Sequence, residues 1–399
     1  MSGASQTLTQ AALQADVSAL AALDRLPCSA GEAEAARWIA ERLKASGARV
    51  VVDEETVHGT YFTPLGVLNA AAAAAGVAVL TGHRRTGGLV GALAAAGIWQ
   101  DLTGGRHRTL RRFLKRQTTT NVIGELGAPD APRTLVVHAH HDAARTSFIF
   151  DQGAARFMTE RLPGIMERVD RWPPLMAGVI AGPAAVALSS LTGGRKTALL
   201  GSAFAAGSAA VMAHMIREPV VPGANDNLSG VAVLLEVARR LQETPPPPGV
   251  RVILLSAGAE EANQEGMLAY ARRHFGELPV ESTSFLCLDT VGSPELVLIE
   301  GEGFLRMYEY PSQQKERVAA AARDAGVPLR RGMRLTFATD GLVPMRRGYE
   351  VASIGSVTEH LVPANYHWPT DTPDNVDYAT VAAASDVVQA TIARTAQGT

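Results

Sequence analysis

The sequence is poor in cysteine, in aromatic residues and in charge of one sign. Its two cysteines, Cys28 and Cys287, exclude a disulfide framework and a cysteine-rich zinc knuckle, and their scarcity fits a reducing compartment. A formal net charge of -2 leaves no basic field of the kind that attracts nucleic acid, so no nucleic-acid partner is expected. The opening stretch MSGASQTLTQAALQADVSALAAL has no positive n-region and carries Asp16 within its apolar part. An amphipathic helix is expected there, not a signal peptide, with the catalytic part beginning in the cytoplasm. What the chain does have is length: 399 residues suffice for one large domain, here taken as 1–399.

Along that length, apolar runs of strand size alternate with helical patterns. NVIGEL (121–126), TLVVHA (134–139), VRVILLSA (250–257) and SFLCLD (284–289) read as buried strands, and Val50 to Val52 as a further β-branched run. Helical spacing covers 229–241, 263–275 and 313–325, and a helix ahead of Val50 stops at Gly47. The pattern predicts an α/β fold, a mixed, mostly parallel sheet flanked by helices in three layers, with sites where loops leave the carboxyl ends of strands. Two regions stand outside it. Uncharged stretches at 64–82 and 86–100, and again at 173–194 and 197–216, predict two inserted apolar helical hairpins. The first insertion is bounded at 64–116 with a basic helix at its end, the second at 149–217.

Polar residues gather just past the predicted strands. HAHHDAA places His140 and Asp142 on one side of a strand end and His141 on the other, with His138 deeper and assigned to the core. An imidazole is a common zinc ligand, and a nearby carboxylate orients it. GANDNLSG puts Asp226 between two amides at a helix start, where capping by Asn225, Asp226 or Ser229 is the plainer reading. SAGAEEANQEG sets Glu260 beside Glu261, two anions that repel unless a cation or a proton separates them. Such a pair suits a metal ligand next to a general base. Asp289 closes the strand SFLCLD, and His367 lies in the loop NYHWPTDTPDNVD. Two imidazoles and three carboxylates suit zinc, and five donors hold two ions if one carboxylate bridges.

With AHHDA, GANDNLSG, GAEEANQEG, LDTVGSP and YHWPTDTPDNVD in this order, and GEAEAARWIAERLKASGARV near the N-terminus, the chain resembles the co-catalytic di-zinc exopeptidases. That family is typified by bacterial leucyl aminopeptidases and has glutamate carboxypeptidases and glutaminyl cyclases as relatives. The resemblance covers the core from about residue 24 onward and implies two Zn2+ ions. It makes His140, Asp226, Glu261, Asp289 and His367 the ligands, with Asp226 bridging, Glu260 the general base and Asp142 the partner of His140. It further implies hydrolysis of N-terminal residues from peptide substrates through a metal-bridging water activated by Glu260. The chain departs from the pattern in two places. Where many relatives carry Ser-Asp-His, it has ATDGLVP, so Asp340 remains but Gly341 follows, and residues 141–225 separate two ligands that a short loop usually joins.

The hairpins are close to bilayer-spanning length. The run RHRTLRRFLKR (106–116), with Leu110, Phe113 and Leu114 on one side, reads as an interfacial helix on anionic lipid. Membrane contact is therefore expected through 64–116 and 173–216. The catalytic domain is placed on the cytoplasmic side by the positive-inside rule, the alternative being a soluble cytoplasmic protein with a lid or dimer face. An amidohydrolase or glutaminyl-cyclase-like relative, or a dead peptidase-like membrane scaffold, is the alternative function. Oligomeric state is not specified by the sequence.

Overall fold

Among the described residues, the apolar runs form the centre of a nine-stranded sheet. The computed structural model describes residues 3–103, 108–162 and 175–397. Four parallel strands occupy the middle in the order β4 (Val250–Ala257), β3 (Arg133–His140), β5 (Thr283–Leu288) and β9 (Glu350–Val357). On one side β2 (Gln117–Leu126) and β1 (Arg49–Val57) continue the sheet antiparallel. On the other, β6 (Glu295–Glu302) runs antiparallel to β9 and carries β7 (Tyr308–Glu309) and β8 (Arg330–Leu335). The sheet is thus mixed, with its parallel part at the centre.

The strand runs are continuously apolar because both faces are covered. In β3, Leu135, Val137 and Ala139 face one core and Val136 the other; in β4, Val252 and Leu254 oppose Ile253 and Leu255 in the same way. The first core is closed by α1 (Gly3–Ala21), α2 (Ala30–Ala45), α8 (Ser229–Glu243), α10 (Ser312–Asp324) and α12 (Tyr378–Gln397). The second is closed by α9 (Glu265–His274) and α11 (Leu342–Met345). Helix α2 starts on Ser29, whose Oγ accepts from Glu32 N at 3.1 Å, and ends before Gly47 at φ +79°. Asp16 of α1, buried in the mostly apolar interface, is paired with Arg239 at 2.8 Å.

The two predicted hairpins are present and pack on each other. Helices α3 (Phe62–Leu80), α4 (Arg84–Thr103), α6 (Leu175–Thr192) and α7 (Arg195–Met215) make one four-helix bundle. Arg84 donates to Ser190 O and Arg195 to Leu80 O, each at 3.0 Å, which ties the two hairpin tips together. Between α4 and α6 the chain includes β2, β3 and α5 (Gly153–Arg161).

One expectation needs correction. Within 106–116, Arg106 lies outside the described residues, and Thr109–Phe113 forms a short 3-10 turn in place of an amphipathic basic helix. Arg111 is fully buried, because Asp101 of α4 draws its guanidinium inward. Arg112, Lys115 and Arg116 remain exposed.

Candidate metal centre

Parallel neighbours deliver their carboxyl ends to one edge. His140 ends β3 in register with Ala257, the last residue of β4, so the loop bearing Glu260 and Glu261 starts beside it. Asp289 follows β5, and its N–H donates to Ile354 O of β9 at 3.0 Å. Asp226 arrives on the turn before α8, with the Asp226–Asn227 peptide in the cis form. His367 comes from the loop ahead of α12, at φ +50°.

These side chains converge. His140 Nε2 stands 3.3 Å from Asp226 Oδ1, and His367 Nε2 stands 3.1 Å from Asp226 Oδ2 and 3.3 Å from Glu261 Oε1. Each oxygen of Asp226 therefore faces a different imidazole. Donor atoms of His140, Asp226 and Glu261 all lie within 4.8 Å of one another. Asp289 and Glu260 line the same cleft.

The amides flanking Asp226 are structural clamps. Asn225 Oδ1 accepts from Gly292 N at 2.8 Å and its Nδ2 donates to Ala364 O at 3.0 Å. Asn227 Nδ2 donates to Leu288 O at 2.8 Å and its Oδ1 accepts from Thr290 N at 3.1 Å. The turn is so fastened both to the end of β5, beside Asp289, and to the loop of His367. Asp142 holds three things at once. Its Oδ1 lies 3.3 Å from His140 Nδ1 and accepts from Glu260 N at 3.0 Å, while Oδ2 accepts from Glu261 N at 2.9 Å.

Two supports were missed by sequence reasoning. Asp371, within the quoted motif but assigned nothing, accepts from Asn225 N at 2.7 Å and Asp226 N at 3.1 Å. Arg25, fully buried, donates to His141 O and Pro222 O at 2.8 Å and joins the β3 end to the Asp226 turn. Neither carries a local sequence signal, since each bonds across more than a hundred positions. The aromatic walls of the cleft, Tyr61, Phe304, Phe337 and Tyr366, were likewise unforeseen. His138 is core as expected, edge-on to Phe285 and pushed down to about 3 by burial.

Electrostatically the site is an anion-rich pocket. Burial pushes the carboxyl of Glu260 well above its ordinary 4.5, opposed by His140 and reinforced by Asp340, Glu261 and Asp289. Burial also raises Asp289, with Asp226 adding to it. Although burial alone would lower it, His367 is drawn up to about 10 by Glu261 and Asp226. Asp340 lies buried beside this group with neither oxygen hydrogen-bonded among the described residues, and burial raises it to about 8. Such a concentration of buried carboxyls needs protons or cations.

The donor set fits zinc. Two donors each about 2.0–2.2 Å from a tetrahedral ion lie about 3.3–3.6 Å apart. The imidazole–carboxylate separations here, 3.1–3.3 Å, are near that and longer than the 2.7–2.9 Å typical of a charge-assisted hydrogen bond. Among the described residues, the buried Nδ1 of His367 has no hydrogen-bond partner.

Residues 200–392 match peptidase family M28, which bears out the family resemblance carried by the motifs. No curated protein matches the chain in sequence. Among solved structures, the chain is similar to a Bacteroides thetaiotaomicron glutaminyl cyclase bound to N-acetylhistamine, at 16% identity over 96% of this chain and 97% of that one, with a TM-score of 0.57. A Zn-dependent exopeptidase from Parabacteroides distasonis aligns at 16% identity over 96% and 97%, with a TM-score of 0.56. BSAP, a zinc aminopeptidase from Bacillus subtilis, aligns at 15% identity over 96% and 94%, also with a TM-score of 0.56. At these identities the likeness is one of fold.

Proposed function

We propose that this chain, in which residues 200–392 carry the peptidase family M28 match, is a zinc-dependent exopeptidase that removes residues from the N-termini of peptides. The observation that supports this most is Asp226, buried, with one oxygen toward His140 and the other toward His367, whose imidazole also faces Glu261. In this reading His140, Asp226 and Asp289 would hold one zinc, and Asp226, Glu261 and His367 the other. Zinc so held supplies an activated water near neutral pH and polarises the scissile carbonyl.

The chain's own residues do the rest. Glu260, raised by burial, is the general base that takes a proton and returns it to the leaving amine. Asp142 fixes His140 and, through two backbone N–H groups, the direction in which Glu260 and Glu261 point. The carboxyl-rich floor attracts a free α-amine, which favours an aminopeptidase. Tyr61, Phe304, Phe337 and Tyr366 give the cleft aromatic walls against which a substrate can pack. An adjoining pocket with mostly apolar walls, sharing Asp289 and Phe337 with the cleft, suits an apolar side chain.

Hydrolysis of a panel of aminoacyl amides, wild type beside Glu260→Gln, tests the reading. Turnover should fall by about 10²–10⁴-fold with metal content unchanged. Full turnover in the variant would remove Glu260 from its role. Cyclisation of an N-terminal glutaminyl peptide in the same panel, with no hydrolysis, would instead favour a glutaminyl-cyclase-like activity.

We also propose that the bundle sits in the membrane, with the catalytic domain on the cytoplasmic side. Helices α3 and α7 are long and apolar enough to cross a bilayer. Leu89, Leu93, Leu191, Leu200 and Phe204 are exposed on the bundle. Exposed Arg112, Lys115 and Arg116 flank its base and favour that side.

A further inference from the structure

The loop carrying Glu260 and Glu261 is held in a conformation that needs holding. Ala259, Asn263 and Gln264 have φ of +48°, +67° and +64°, a region side chains rarely adopt and keep only where the surroundings over-determine it. On its amide side, carboxylates do this. Glu32 accepts from Ala259 N at 2.8 Å, and Asp142 accepts from the N–H groups of Glu260 and Glu261. On its carbonyl side, guanidinium groups do it. Arg111 Nη1 donates to Ala262 O at 2.7 Å, and Arg108 donates to Asn263 O.

Arg111 is the centre of this second clamp. The same Nη1 donates to Glu265 Oε1 at 2.9 Å, and Glu265 in turn accepts from His58 N at 2.7 Å and Gly59 N at 2.8 Å. Its Nη2 and Nε donate to Asp101 at 2.7 and 3.0 Å. Asp101 belongs to the last turns of bundle helix α4. Arg111 is fully buried and lies between two carboxylates, so its charge is paired inside the protein. A planar guanidinium serves acceptors on two sides at once, which a lysine ammonium on a flexible stem does not.

We propose that Arg111 is a positioning residue for the candidate base: it locks the backbone that aims Glu260 and Glu261 and makes that aim depend on the docked end of the bundle. The inserted hairpin is then a working part of the peptidase core, not an anchor alone. This rests on the reading of Glu260 as base, and the experiment separates the two.

Full-length wild type, Arg111→Gln, Arg111→Lys, Asp101→Asn and Glu260→Gln are compared by steady-state kinetics and by hydrogen exchange of the amides of residues 259–265. In both Arg111 variants kcat should fall by about 10–100-fold with KM within about twofold, as misplacement of a catalytic group does. Exchange at the Glu260 and Glu261 amides should quicken by about tenfold or more, with β3 amides unchanged. Asp101→Asn, which keeps the guanidinium but loosens it from α4, should show the same changes in smaller measure. If Arg111→Gln fails to fold, Arg111→Lys and Asp101→Asn decide the matter. Folded variants that keep wild-type kcat and wild-type exchange in the loop would overturn the proposal. Because Glu260→Gln leaves the clamp intact, its exchange should be wild-type. A wild type that cleaves nothing, or a fully active Glu260→Gln, would sink the base assignment while the exchange data still judge the clamp.

Discussion

Asp142 shows how one side chain serves several at this site. Replacing it with Asn puts an NH2 group against one of the two backbone N–H donors it now accepts from, and loosens His140 at the same time. Asp142→Asn should weaken zinc binding by about 10–100-fold, read by competition with a chelator. Unchanged affinity would mean that His140 and Glu261 need no such support. A second residue-scale prediction concerns pH. Glu302 is fully buried, accepts from Thr339 N and Oγ1, and is raised by burial from 4.5 to about 8. Its folded state binds the proton more tightly than the unfolded chain, so its contribution is present below about pH 4.5 and is lost as pH rises towards 8. Thermal midpoints of Glu302→Gln should therefore decline less between pH 5 and 8 than those of wild type; parallel curves would contradict the assignment. The residues legible in the sequence were those whose type is costly in its context, such as Asp289 after an apolar strand or Glu260 beside Glu261. Arg25, Asp371 and Asp101 were not, because each is defined by a partner far along the chain.

At the scale of elements, what was legible was whatever a single period could encode. The central strands β3, β4 and β5 are continuous apolar runs, and α8, α9 and α10 have helical spacing. Strands β6 to β9 were not anticipated. β8, RRGMRL, is a polar edge, and β9, EVASIGSV, mixes alanine, serine and glycine into a buried strand. The hairpins were read correctly as helices, but not their union into one bundle, since that depends on close approach between helices distant in sequence. At Gly182 a Cβ would lie 2.6 Å from Ala205 N of the next helix. Gly182→Val should therefore part α6 from α7 and cost about 1–3 kcal/mol, seen as a lower thermal midpoint in detergent. A midpoint equal to wild type would show that the two helices do not pack so closely.

For the whole molecule, the proposed arrangement is a peptidase core standing on an apolar four-helix base, with the cleft walled partly by Tyr61 at the foot of α3. Such a chain should sediment with membranes and need detergent for extraction; recovery in the soluble fraction after lysis would turn the bundle into a lid or an oligomer face. The central claim, that Asp226 holds two ions in common, is tested most directly by calorimetric titration of zinc into chelator-treated protein. The account predicts two zinc ions per chain in wild type, one weakened site in His367→Ala and loss of both in Asp226→Ala. No zinc binding by wild type, or two undiminished sites in Asp226→Ala, would contradict it.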